Sequence, residues 1–96
     1  MKLPKPTRFE WDEGNKMKNW EKHEVHGKEA EEVFANRSKK VFPDASHSTV
    51  TEKRFVIFGI TDKKRYLTIV FTLRENKIRI ISARDQSKKE RKVYEK

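Results

Sequence analysis

Four kinds of side chain in this 96-residue chain could move protons or neutralise developing negative charge. Arg54 opens an apolar run, Arg79 and Arg84 stand in a second one, His23 follows Lys22 after a polar stretch, and Tyr94 lies near the C-terminus. A guanidinium can hold a phosphate through two parallel hydrogen bonds, and an imidazole gives or takes a proton near neutrality. RNA carries its own nucleophile in the 2′-hydroxyl, so cutting it requires only a base, an acid and positive charge on the phosphorane. These residue types supply all three. Each also has a plainer reading. His23 at a helix C-terminus is stabilised by the helix dipole, Arg54 and Arg79 can guard a sheet edge, and Tyr94 can be a packing anchor. Arg84 follows Ser82-Ala83, whose small side chains leave room for a ligand. Trp11 and Trp20 read as core, with stacking on bases as the alternative. His47-Ser48 lies in a polar stretch and reads as loop filler.

Other chemistries have less support. Without cysteine there is no disulfide, thiol nucleophile or Cys-ligated zinc, and three glycines (Gly14, Gly27, Gly59) make no phosphate-binding loop. His23, His26 and His47 are too scattered for a metal site, and the acidic residues form no ligand cluster, so neither metal nor cofactor is expected. No apolar run approaches the roughly 18 residues of a membrane span, and Met1–Arg8 lacks the apolar stretch of a signal peptide. The expected compartment is the cytoplasm.

The elements that must position these residues follow from pattern. Residues 1–8, with two prolines and no period, read as an extended arm, and 9–96 as one domain. A short strand is expected at Phe9–Trp11. Asp12 reads as an N-cap before the polar run Asn15–His23, giving a weakly amphipathic helix. A second helix after Gly27 carries an Ala30, Val33, Phe34 stripe and ends at Asn36. Residues 37–52 are turn-rich, with a brief strand at Val41–Phe42. Three strands follow, Arg54–Ile60, Arg65–Leu73 and Lys77–Arg84, joined by short connections as an antiparallel meander. Ser87-Lys88-Lys89-Glu90 is a capping box opening a short terminal helix anchored by Val93 and Tyr94. The fold class is α+β, with two N-terminal helices, a central antiparallel sheet of three to four strands and a short C-terminal helix. Regular alternation puts Arg79 and Arg84 on opposite faces of the last strand, so one site uses both only if a bulge intervenes.

Charge is uneven. The formal net charge is +9, of which residues 49–96 hold +8, from 14 basic and 6 acidic residues. A positive field on the sheet-forming half points to a polyanion, nucleic acid first. Apolar residues on both parities of the first two strands leave more greasy surface than three short helices cover, which gives a protein partner a place to sit.

The ordered set of motifs resembles the BrnT toxin family. It runs from Phe9-Glu10-Trp11-Asp12-Glu13 through Lys18-Asn19-Trp20-Glu21-Lys22-His23 and Glu29-Ala30-Glu31-Glu32-Val33-Phe34. Next come Asp44…His47-Ser48, Arg54…Gly59 and Thr61-Asp62…Arg65-Tyr66-Leu67. Ile78-Arg79-Ile80-Ile81-Ser82-Ala83-Arg84 and Glu90-Arg91…Tyr94 complete it. The resemblance implies a RelE-like fold and a toxin of a type II toxin–antitoxin system, a ribonuclease that cuts RNA and arrests translation and growth. It also implies a BrnA-type ribbon-helix-helix antitoxin as partner, a heterotetrameric assembly, and operator DNA reached only through the antitoxin. On the matching positions, Arg54, Arg79 and Arg84 are expected to hold phosphate and stabilise charge, and His23 to act as acid or base. Lys22, Arg65, Lys88 and Tyr94 are the expected RNA contacts. Two departures stand out. Glu24 follows the Lys-His pair where many relatives have Gly, and Asn15 stands where several have Lys. A reading from a different class is a non-catalytic RNA- or ribosome-binding module, or an inactive toxin kept as co-repressor.

Overall fold

A computed structural model describes Leu3 and residues 7–96; most of the arm expected over residues 1–8 lies outside that set. The order is β1 (Phe9–Glu10), α1 (Glu13–His23), α2 (Gly27–Ala35), β2 (Lys40–Asp44), a 3-10 turn (Ala45–His47), β3 (Arg54–Ile60), β4 (Tyr66–Arg74), β5 (Lys77–Asp85) and α3 (Lys88–Glu95). The strands form one five-stranded sheet in the order β1-β5-β4-β3-β2. This corrects the expected antiparallel sheet of three to four strands. Phe9–Glu10 adds a parallel edge to β5, pairing Phe9 with Ile78 and Glu10 with Arg79. Two residues are too few to show a period-2 pattern, so their pairing comes from packing. Edge strand β2 is longer than the expected Val41–Phe42 and carries Pro43, which an edge tolerates because it needs no ladder donor there.

Local chemistry explains the boundaries. The Asp12 carboxylate accepts from the Asn15 N–H at 3.1 Å, capping α1. The helix ends at Glu24, which sits in the left-handed region at φ 51°, its N–H donating to the Trp20 carbonyl at 2.9 Å. The β4–β5 hairpin turns on Glu75 and Asn76, both at positive φ (52° and 63°), as the twist of a two-residue hairpin requires. The predicted capping box of α3 is present: the Glu90 N–H donates to Ser87 Oγ at 3.2 Å and the Ser87 N–H to Glu90 Oε1 at 2.8 Å.

The sheet has two unlike faces. Ile57, Leu67, Ile69, Phe71, Ile78, Ile80 and Ala83 point one way and are buried under α1 and α2 with Val25, Ala30, Val33 and Phe34. Gly59 lets α2 come close, since a Cβ there would run into the Val33 side chain. Asn19 Oδ1 accepts from the Ala83 N–H at 3.2 Å and fixes α1 to β5. The opposite face is covered by α3 at one end only. There Tyr94 meets Tyr66 edge-on at 5.8 Å, and Arg91 lies over the Tyr66 ring at 3.6 Å. Among the described residues no helix is long and apolar enough to cross a membrane.

Candidate nucleic-acid interface

The site is built on the face that α1 and α2 leave free. Register places Asp44 opposite Arg54, Arg54 opposite Thr72, Thr72 opposite Arg79 and Arg79 opposite Glu10. Directly paired residues project to the same side, so one row of side chains crosses all five strands: Asp44, Arg54, Thr72, Arg79, Glu10. The two arginines stand two strands apart, about 10 Å at the usual interstrand spacing. Thr72 is buried between them, its hydroxyl donating to the Lys53 carbonyl at 2.7 Å.

A bulge brings Arg84 to the same side. Val70 pairs with Ser82 and Phe71 with Ile80, leaving Ile81 as the extra residue of β5. Arg79 and Arg84 therefore share a face, which regular alternation forbade. They do not share a contact. Arg84 pairs with Thr68, four residues along β4 from Thr72, about 13 Å away at strand rise.

Donor use distinguishes the arginines. Arg54 engages Nε alone, on Glu52 at 3.1 Å, and Arg79 one terminal nitrogen, on Asp12 at 3.0 Å. Among the described residues their remaining N–H groups have no partner. Both are partly accessible, at 34% and 23% of the side chain. Asp12 is held below the usual carboxylate range by the Asn15 backbone and by Arg79, so it stays ionised and aims that guanidinium. Arg84 is committed: both terminal nitrogens clamp Glu90, at 2.7 and 2.8 Å. That clamp, together with hydrogen bonds from Ser87 and Thr68, overcomes desolvation and pulls the Glu90 carboxyl down to about 2. Arg65 is more committed still. It donates to Asp85 (2.8 Å), to Glu29 (3.2 Å) and to the last carbonyls of α1, those of His23 (3.0 Å) and Glu24 (2.8 Å). Hydrogen bonding to Asp85, then to Glu29, raises its pKa against desolvation.

The remaining expected residues do not join the row. His23 ends α1 beside Arg65, on the core side and at the far end of the strands from Arg54. Its imidazole has no hydrogen-bond partner among the described residues. Lys22 is exposed one residue before it, and Lys88 is exposed at the first turn of α3. The Tyr94 hydroxyl donates to the Ser38 carbonyl at 2.6 Å; burial, and then the neighbouring Tyr66, raises its pKa, so it stays neutral and ties α3 down.

A histidine read from sequence as filler is the one that reaches the row. His47 Nδ1 lies 2.9 Å from Asp44 Oδ2, at the row's end. The available signal was the Asp44-to-His47 spacing, which one helical turn converts into contact. Trp20, half exposed, stacks on His26 at 4.1 Å rather than lying in the core. Among the described residues no three His, Asp or Glu side chains converge as metal ligands would.

Comparison with known proteins fits this architecture. The chain resembles the 1.1 Å crystal structure of the Brucella abortus ribonuclease toxin BrnT, with 22% identity and a TM-score of 0.65 over 85% of this chain and 99% of that one. No curated protein matches. The family model for the ribonuclease toxin BrnT of type II toxin–antitoxin systems matches residues 11–90. The chain belongs to that family.

Proposed function

We propose that this chain is an endoribonuclease that cuts RNA without a metal ion, stops translation and growth, and works in the cytoplasm. A BrnA-type ribbon-helix-helix antitoxin neutralises it in a heterotetramer, and operator DNA is reached only through that partner. One observation supports this most directly: Arg54 and Arg79 flank Thr72 on an open sheet face, both partly accessible and each with N–H groups that have no partner among the described residues. Two arginines whose backbones stand about 10 Å apart on one face suit neighbouring phosphates of one strand. Arg84, Lys88 and Tyr94 lie further along the same face, where the RNA backbone leaves the row. Lys22, His23 and Arg65 lie apart from the row at the end of α1, with Arg65 already paired to Asp85 and Glu29.

The test is expression from an inducible promoter, alone and with the adjacent reading frame, with the purified chain incubated with RNA in EDTA. Growth arrest with discrete cuts in EDTA, reversed by the neighbour, supports the reading. Intact RNA with retained binding supports the non-catalytic module, which the distance of His23 from the arginine row favours.

A further inference from the structure

Arg54 and Arg79 supply positive charge, and the side chains near them that hydrogen-bond an imidazole are concentrated in residues 44–54. Asp44 ends β2 directly opposite Arg54. Its carboxylate accepts from Ser46 Oγ at 3.0 Å through Oδ1 and lies 2.9 Å from His47 Nδ1 through Oδ2. Desolvation opposes ionisation of Asp44, but the hydrogen bonds from Ser46 and His47 outweigh it and hold its pKa below the usual range. An ionised carboxylate can only accept, so the proton of neutral His47 sits on Nδ1. Nε2 is left with its lone pair and no partner among the described residues, on a side chain that is 67% exposed, while Asp44 is only 15% exposed. A partly buried carboxylate orienting an accessible imidazole is the arrangement that general-base chemistry uses.

The turn is fastened to the row. Ser48 Oγ donates to the Asp44 carbonyl at 2.7 Å and accepts from the Arg54 N–H at 2.9 Å. One hydroxyl thus closes the loop that starts at Asp44 and ends at Arg54. Glu52, which holds Arg54 Nε, is itself fixed by its N–H donating to Thr49 Oγ1 at 2.9 Å. The charged group in contact with His47 is Asp44 on its own turn; across the sheet Asp44 meets Arg54 at the start of β3, which is paired with Glu52 just before the strand.

We propose that Asp44 and His47 form the proton-transfer pair of the RNA-cleaving site, with His47 Nε2 as the base. The inference rests on the ribonuclease reading above. His47 takes the 2′-hydroxyl proton as the 2′ oxygen bonds to phosphorus, while Arg54, opposite Asp44, neutralises the phosphorane oxygens and Arg79 holds the neighbouring phosphate. The bond from phosphorus to the 5′ oxygen breaks with its electron pair on oxygen, which takes a proton from water, and His47 later returns its own proton to solvent. The products are a 2′,3′-cyclic phosphate and a 5′-hydroxyl, with no oxidant, reductant or metal consumed. Asp44 acts through His47 and is a positioning residue.

The experiment is single-turnover cleavage of a short single-stranded RNA by the purified chain across pH, with RNA affinity measured in parallel. His47→Gln should lower the cleavage rate by about 10²–10⁴-fold, abolish the acidic limb of the pH profile and leave affinity within about twofold. Asp44→Asn should lower the rate and shift that limb, and ¹⁵N spectra should show neutral His47 losing its preference for the proton on Nδ1. Because His47 is exposed, its variant should melt like the parent, and the melt is measured alongside. A His47→Gln protein that cuts RNA within about threefold of the parent rate overturns the pair and leaves the ribonuclease reading standing. A parent chain that binds but cuts no RNA overturns both.

Discussion

Arg79 and Arg84, five positions apart on β5, project from the same face of the sheet because Ile81 is an extra residue between them. In a regular strand an odd separation sends two side chains to opposite faces. The bulge converts two unrelated arginines into parts of one basic surface, and their partners then separate their roles. Arg79 is steered by one contact to Asp12, whereas Arg84 spends both terminal nitrogens on Glu90.

That difference can be read from salt dependence. Each phosphate contact to a single strand contributes about −0.7 to the slope of log affinity against log salt. Arg54→Ala and Arg79→Ala should each weaken RNA binding and flatten the slope by about that amount, with little change in melting temperature. Arg84→Ala should instead loosen α3 and leave the slope nearly unchanged. An Arg79→Ala protein with parental affinity and slope would place the phosphate elsewhere.

Glu90 gives a pH signature for the same helix. Its pKa is lowered, to about 2, so the stability it contributes is complete above its ordinary carboxylate value and is lost as pH falls through about 2. Below the ordinary range, acid should progressively release α3, read as loss of the Tyr66–Tyr94 contact in NMR spectra. Glu90→Gln should be less stable at neutral pH by about 1 kcal/mol, a modest figure because half-exposed Arg84 is screened by solvent. Its stability should also be flatter between pH 5 and 2 than the parent's. Equal acid sensitivity in the two proteins would assign the acid transition to another group.

Much of the frame was legible in the sequence because it is local. Asp12 and the Ser87–Glu90 box announce helix starts through side chains that reach only three residues, and strands β3 to β5 announce themselves by β-branched and aromatic runs. What stayed hidden depends on distant partners. Nothing near Arg65 shows that it will cap α1, because its acceptors lie at His23, Glu24, Glu29 and Asp85. Nothing in Ile80-Ile81 says which residue bulges, since either parity is apolar. Nothing around His47 shows that its partner Asp44 will stand opposite Arg54, because that alignment is made across the sheet.

The departure at Glu24 has a backbone consequence. At φ 51° a side chain bearing Cβ is strained, and glycine is not. Glu24→Gly should therefore stabilise the chain by about 1 kcal/mol, raising the melting temperature by about 4–8 °C for a domain of this size. The cap contacts use the backbone, the Glu24 N–H to Trp20 and its carbonyl to Arg65, so both survive the change. A drop in melting temperature would mean that the Glu24 carboxylate contributes more than the strain costs.

Gly59 is the opposite case, a glycine required by space. Its φ is not positive, so the backbone would accept alanine, but the new methyl would meet Val33 where α2 crosses β3. Gly59→Ala should destabilise by about 1–3 kcal/mol through overpacking. Val33→Ala alone should also destabilise, because it empties a fully buried site. Combined, the two should cost less than the sum of the single changes, since the added methyl occupies part of the volume that Val33 vacates. Denaturant midpoints of the four proteins measure this coupling. Strict additivity would show that α2 moves away from the sheet to admit the methyl, so that the contact between Gly59 and Val33 does not set the distance of helix from sheet.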